Sequence, residues 1–281
     1  MRWTSVSDVE KYCPDALWHL VQPLLPAHPK RHQGGGRPRI DDRVAAAAIV
    51  YSLQTGCAWD ALPASIPISR ATAHRRFTEW VEQGVMQAFH QATLDVLGAA
   101  GQIDWSRASV DAMHVRAVKG GNLTGRSPVD RGKPGSKIHA VSDRNGLPLT
   151  VVLSAANVND STMLEDVLDS LRAIRQPLGR PRRWPHKLHG DKGYDYRSCR
   201  DLVRRRGMIA RIARKGIESA THLGRHRYVV ERCLEWVSRF RRLARRYDRK
   251  ASHYTGFLHL ACALICYRRA ARLNLLTSKN P

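Results

Sequence analysis

Near residue 105 the spacing of apolar side chains changes from helical to alternating, and this change constrains the fold more than any other feature of the chain. Residues 1–95 read as helical. An apolar segment, Ala16–Leu25, runs into the proline-rich stretch Pro23–Pro29, and Gly34-Gly35-Gly36-Arg37-Pro38-Arg39 reads as a flexible basic link. Asp41 or Asp42 is placed to cap an alanine-rich helix over Arg43–Gln54 that stops at Gly56, and Ser69 to cap another over Arg70–Gln83. After the change, Ala108–Val118 alternates apolar with polar residues and predicts a strand, and the glycines, prolines and cations of Lys119–Gly135 predict a mobile basic loop. Strands over Lys137–Ser142 and Leu147–Ser154 flank Asn145-Gly146, a strong hairpin signal. Asp160 or Ser161 then caps a helix carrying Met163, Leu164, Val167, Leu168 and Leu171. Beyond the Pro177–Pro185 linker come a strand at Lys187–His189, a helix at Tyr196–Arg206, a strand at Met208–Ala213, a long Arg-rich helix at Arg225–Tyr247 and an apolar helix at His253–Leu276.

Three strands followed by alternating helices and strands predict a mixed α/β architecture, a mixed five-stranded sheet flanked by helices. The expected parts are an all-α domain over residues 1–95, a sheet-bearing domain over 105–250, and a C-terminal helix over 251–281 that packs on the core. With 43% hydrophobic residues the chain can bury a core, which excludes global disorder. The longest apolar stretches, Val44–Leu53 and Phe257–Tyr267, fall short of the roughly 18 residues that span a bilayer. The six cysteines form no CxxC pair and no secretory leader is evident, so reduced thiols and a cytoplasmic location are expected.

The formal net charge is +23, with 47 Lys plus Arg against 24 Asp plus Glu; ten of the cations are Lys and 37 are Arg. Residues 172–250 alone hold 25 cations and seven anions. A one-signed arginine field repels itself, whereas the planar guanidinium pairs bidentately with phosphate, so double-stranded DNA or another nucleic acid is the expected partner. The Arg70–Gln83 helix, with Arg70, His74, Arg75 and Arg76 around Phe77, Trp80 and Val81, fits the second helix of a helix-turn-helix. An ordinary helical bundle with a wet face is the alternative.

Three acids stand where an acid is costly or structurally unemployed. Asp111 lies inside the first strand, and its plainer reading is an edge position or an arginine pair. Asp191 comes immediately after Lys187-Leu188-His189-Gly190, at the C-terminal end of a strand; Asp195, just before Tyr196, is the better helix cap, which leaves Asp191 without a structural task. Glu231 lies on the late helix beside Val229 and Val230, with an ion pair to Arg227 as its plainer role and Glu235, one turn on, as a competitor. Carboxylates of this kind can hold two divalent ions for an in-line phosphoryl displacement, and Mg²⁺ prefers such hard oxygen ligands. His186, His189 and Cys199 lack a fourth zinc ligand at suitable spacing, Cys262 and Cys266 read as core, and no GxxxxGK[ST] loop is present.

Taken together, Gly34–Asp42, Ala45–Trp59, Val110-Asp111-Ala112, Gly120–Val141, Ser154–Asp160, His189–Asp195, Arg211–Gly216 and Gly224–Glu231 resemble the bacterial DDE transposases of the insertion sequence 5 family. The resemblance implies an RNase H-like catalytic domain behind a helix-turn-helix-like N-terminal domain. It further implies Asp111, Asp191 and Glu231 as catalytic metal ligands for Mg²⁺, with Mn²⁺ as substitute, cutting at terminal inverted repeats and joining the freed 3′-OH to target DNA. Arg227 matches a basic position ahead of the family's glutamate; the family's tyrosine is replaced by Gly224, and its later lysine falls near Ser238 and Arg239. Lys137, Lys192, Arg232 and the Arg239–Arg246 cluster are the expected phosphate contacts, and Tyr194 a stacking platform for a splayed base. The family also implies association with the nucleoid and a dimer or larger assembly on DNA. A repressor descended from such an enzyme, or a nuclease that hydrolyses without joining, fits the same residues.

Overall fold

The structure is a computed structural model that describes residues 7–27, 39–216 and 220–276, with only the backbone described over 220–227; residues 34–38 of the basic link lie outside the described residues. The N-terminal part holds helices α1 (Asp8–Tyr12), α2 (Asp15–Val21), α3 (Asp42–Thr55), α4 (Arg70–Glu82) and α5 (Val85–Ala99), the last over a stretch whose sequence marks no separate boundary. The Asp41 side chain accepts from the Arg43 N–H at 2.8 Å to start α3, and Ser69 accepts from the Thr72 N–H to start α4, both as the sequence predicts. Every residue from Ala45 to Val50 is buried, so the alanines of α3 serve close packing on all sides. The chain leaves α3 at Gly56 in the left-handed region (φ +72°), where a Cβ would stand 2.9 Å from Arg241 Cβ. The connection from α3 to α4 takes up residues 56–69, including a 3₁₀ turn at Trp59–Ala61, and is therefore longer than the short turn of a helix-turn-helix.

The sheet consists of β1 (Ala108–Arg116), β2 (Gly125–Arg126), β3 (Pro134–Asp143), β4 (Pro148–Ala155), β5 (Lys187–Gly190) and β6 (Ile209–Ile212). Its five principal strands run in the order β4-β3-β1-β5-β6, and β2 adds a sixth by pairing with the first residues of β3. β1 is antiparallel to β3, β3 to β4, and β5 lies parallel to both β1 and β6. An antiparallel meander extended by parallel crossover strands is the RNase H-like arrangement. At the β3–β4 turn Gly146 adopts φ +87°, and buried Asp143 accepts from the Asn145 and Leu147 N–H groups at 2.9 and 2.8 Å and from that of Asp104 at 3.0 Å.

The two faces of the sheet bury different partners. Val110 and Val141 pack with Leu164, Val167 and Leu168 of α6 (Asp160–Ser170), while Val115, Ile138 and Ala140 pack with Leu234 and Val237 of α8 (Ala220–Ser238) and with the N-terminal helices. Helix α10 (Ala251–Arg272) is buried along most of its length between α5 and β4, so the C-terminal helix and the N-terminal helices share one core with the sheet. Asn159, rather than Asp160 or Ser161, caps α6, and Tyr196 rather than Asp195 precedes α7 (Arg197–Arg205).

The helix predicted over Arg225–Tyr247 ends at Ser238 and is followed by the short α9 (Arg241–Ala244). The cause is Arg246, which is fully buried. Its guanidinium donates to the carbonyls of Asn122, Leu123, Asp248 and Arg249 and to Ser136 Oγ at 2.6–3.2 Å, a constellation no helical position could reach. Arg246 also pairs by its backbone with Arg116 and Val118. The 119–135 segment, expected to be a mobile loop, is thereby bound into the fold and contributes β2. Among the described residues no helix is long and apolar enough to cross a membrane.

Candidate active site

Asp111 pairs in register with Ala140 of β3 and shares its face with Met113 and Val115, the face that α8 covers. Its Oδ1 accepts from the following Ala112 N–H at 2.7 Å. On the other side of β1, Ser109 stands opposite His189 in the parallel pairing with β5. Asp111 lies two residues past Ser109 on β1, and Asp191, the residue after β5 ends, lies two past His189, so the parallel pairing runs both chain segments toward the same end of the sheet. The Asp191 Oδ1 accepts from the Gly193 N–H at 2.9 Å and caps the 3₁₀ turn Lys192–Tyr194. Asp191 therefore has a structural task after all, while Asp195, expected to cap the next helix, instead takes the Arg200 guanidinium at 2.6 Å and the Lys215 N–H at 2.8 Å.

Tyr194 reports on this grouping. Its side chain is buried, with its hydroxyl unbonded among the described residues. Burial, and after it the negative charges of Asp160, Asp111 and Asp191, push its phenol far above the usual tyrosine range. So buried a ring is not a stacking platform for an extruded base. Asp160 is the neighbour the sequence did not bring forward except as a cap: it takes Lys137 Nζ at 2.8 Å and lies 4.0 Å from His139 Nδ1. His139 donates to or accepts from Ser154 Oγ at 2.8 Å, and burial, outweighing the attraction of Asp160, holds it neutral with a pKa of about 4. The signal was the β3 alternation, since Lys137 and His139 share the face of Val141 that packs on α6.

Glu231 is exposed on α8, between buried Val230 and the sequence's other basic candidate, Arg232. Helix α8 packs against β1, β3 and β5, so it crosses the strands that carry Asp111 and lead to Asp191. The competing Glu235 is engaged by Arg239 at 2.6 Å. Among the described residues no three His, Cys, Asp or Glu side chains converge into a ready metal cluster. Asp111 and Asp191 nevertheless supply hard oxygen donors, which match the preference of Mg²⁺.

The expected DNA contacts divide sharply. Arg70, His74 and Arg75 are exposed on α4, and Lys192 is exposed beside Asp191. Arg76 is instead buried and bonded to Asp42 at 3.0 Å and Glu79 at 3.2 Å, because its side of α4 faces α3. Lys137 is also buried, committed to Asp160 and to the Val158 carbonyl. Neither is presented to a DNA backbone. Arg232 donates to the Asn145 carbonyl at 2.9 Å, with its guanidinium over the Tyr228 and Trp236 rings. The side chain of Arg227 lies outside the described residues. Within the Arg239–Arg246 cluster, Arg242 is buried against Asp248 at 2.8 Å and over the Trp59 and Phe257 rings, joining the N-terminal helices to the sheet domain.

The family model of the transposase DDE domain matches residues 106–266, from just before β1 into α10, and a model described as "Putative transposase of IS4/5 family" matches residues 13–90. The chain belongs to the DDE transposases of insertion sequences. The transposase is 43% identical over 149 residues to the "Putative transposase for insertion sequence element IS402" of Burkholderia cepacia, an alignment covering 53% of this chain and 71% of that protein. It is 41% identical over 116 residues to the "Insertion element IS402 uncharacterized 16.2 kDa protein" of the same organism, covering 41% of this chain and 79% of the relative. Among solved structures, a chain of the "Mos1 transposase paired-end complex with left transposon end" aligns over 85% of this transposase and 82% of its own length. At 11% identity and a TM-score of 0.25, that likeness leaves the fold assignment resting on the strand order described above.

Proposed function

We propose that this transposase cleaves DNA at the terminal inverted repeats of its insertion sequence and joins the freed 3′-OH to target DNA, at a two-metal centre held by Asp111, Asp191 and Glu231. What supports the reading is that β1 and β5 run parallel toward the same end of the sheet, with Asp111 two residues past Ser109 and Asp191 two past its partner His189, and that both charges act on buried Tyr194. In water two such carboxylates repel, and a divalent ion between them relieves that repulsion. Mg²⁺, with Mn²⁺ as substitute, would supply activation of the attacking oxygen and stabilisation of the leaving oxygen.

The protein's own groups do the rest. The Gly193 N–H fixes the Asp191 carboxylate, leaving its second oxygen for the centre. Glu231 completes the set from α8, and Lys192 and Arg232 flank it with positive charge toward the scissile phosphate. Burial of Tyr194 and the Lys137–Asp160 pair beneath the centre keep the β5–α6 side fixed. In this reading Arg70, His74 and Arg75 of the N-terminal domain, residues 1–95, contact the repeats, Arg227 assists Glu231, and two copies of the chain bring two ends together on the nucleoid. In the same reading residues 105–250 form the catalytic domain, with helix α10 packed on it.

The test is a joining assay with Mg²⁺ on DNA ends taken from the repeats flanking the reading frame, wild type beside Glu231→Gln. Joined products from wild type alone, with end binding retained by both proteins, support the proposal. Binding without cutting or joining by either protein favours a repressor instead, and cutting without recombinant junctions a nuclease.

A further inference from the structure

Arginines from three parts of the fold converge where chance packing would keep them apart. A cavity of about 830 Å³ lies between the β3–β4 turn, the second half of α8 and the end of α10. Arg144 comes from the turn, Arg232 and Arg239 from α8 and its exit, and Arg268, Arg269 and Arg272 from α10. Leu147, Phe240 and Ile265 line it with apolar surface, and Trp236 adds an indole. Cations at the end of α10 suit the helix dipole, but that accounts for one helix only and not for the arginines facing it from α8 and the turn.

Few acids neutralise this set. Asp104 takes Arg144 at 3.5 Å and Glu235 takes Arg239 at 2.6 Å. Among the described residues Arg268, Arg269 and Arg272 make no ion pair, and Arg268 lies over the Phe240 ring. Burial, and after it the charge of Arg272, lower the pKa of Arg268 below the ordinary arginine value, a penalty that a bound anion would remove. The volume is far larger than one phosphate needs and suits several nucleotides of backbone.

We infer that this cavity holds the phosphodiester backbone of target DNA. The inference rests on the transposase reading, and position and chemistry select the target strand. Arg232 directly follows Glu231 on α8, so the cavity and the third proposed metal ligand draw on the same helix. Guanidinium groups grip phosphates in bidentate fashion and carry no sequence information by themselves. Element ends have to be read by sequence, whereas a target has to be held whatever its sequence.

The double variant Arg269→Gln/Arg272→Gln tests this on the full chain, since both side chains are exposed and their loss leaves the core intact. Binding is measured without metal, so the result does not depend on the catalytic proposal. Affinity for random duplex is expected to fall by roughly tenfold, with the slope of log affinity against log salt reduced by about 2. The sequence-specific complex with the element end, formed over competitor DNA, is expected to stay within about twofold, and nicking of ends to persist while joining to target falls. An unchanged salt slope on random duplex, or an equal loss on both DNAs, would overturn the inference. If the slope falls but neither protein ever joins DNA, the cavity stands as a DNA site while the catalytic reading fails.

Discussion

Replacing Arg246 by Gln should destabilise the transposase more than any other single arginine substitution. The side chain is fully buried and makes five hydrogen bonds of 2.6–3.2 Å, four to main-chain carbonyls and one to Ser136 Oγ. Hydrogen bonds to a charged group contribute about 1.5–3 kcal/mol each, but five made by one group are not additive. Gln keeps a single donor amide, so at least three buried acceptors lose their partner. The expected loss is about 3–5 kcal/mol, the range found when one member of a buried ionic network is removed. Urea unfolding measures the loss directly. Hydrogen exchange locates it, since the Val118 and Asn122 amides, bonded to Arg246 and Arg249 carbonyls, should exchange much faster in the variant. A loss under about 1 kcal/mol with unchanged exchange at those amides would refute the claim that Arg246 organises the 117–135 segment.

Three further outcomes follow from the same structure. Burial lowers His90 and His139 to about 4 and His259 to about 3, so the unfolded chain binds more protons than the native one once pH falls below the ordinary value of 6.5. Stability is then complete above pH 6.5 and lost toward pH 4, His90 alone contributing about 3 kcal/mol; buried Asp143, raised to about 6, offsets part of this in the opposite sense. A urea midpoint that does not drop between pH 7 and pH 5 contradicts it. Gly121→Ala drives a Cβ into the Arg249 carbonyl oxygen at φ +120°, so thermal melting should show a loss above about 2 kcal/mol, and a neutral result would mean that the two segments are not in contact. Lys137→Met leaves Asp160 unpaired in a partly buried site and should lower stability by about 3 kcal/mol while the salt slope of DNA binding stays unchanged; a slope reduced by about 1 would return Lys137 to the DNA surface.

The order of strands and helices was legible because alternation and helical spacing are local, and the Asn145-Gly146 turn and the Ser69 and Asp41 caps were legible for the same reason. What escaped the sequence depended on partners distant along the chain. Arg76, Lys137, Arg242 and Arg246 read as DNA contacts because a charged side chain gives no local sign of the buried acceptor waiting for it. The end of α8 at Ser238 was hidden likewise, since the residues beyond it are good helix formers drawn off by Arg246 into contacts with residues 117–123. At the site, Asp111 and Asp191 stood out individually, but the parallel β1–β5 pairing that runs them toward the same end of the sheet is encoded by no single segment. Arg268, Arg269 and Arg272 drew no reading from the sequence, because the β3–β4 turn and α8 that share their cavity are distant along the chain.

Asp111→Cys in the joining assay, run with Mg²⁺ and with Mn²⁺ in parallel, tests whether Asp111 holds a catalytic metal ion. A thiolate is a poor ligand for Mg²⁺ and a better one for the softer Mn²⁺, whereas it cannot restore a merely structural carboxylate selectively with one metal. Wild type is expected to join DNA with either ion, and Asp111→Cys with Mn²⁺ alone. Undiminished joining by Asp111→Cys with Mg²⁺ would contradict it.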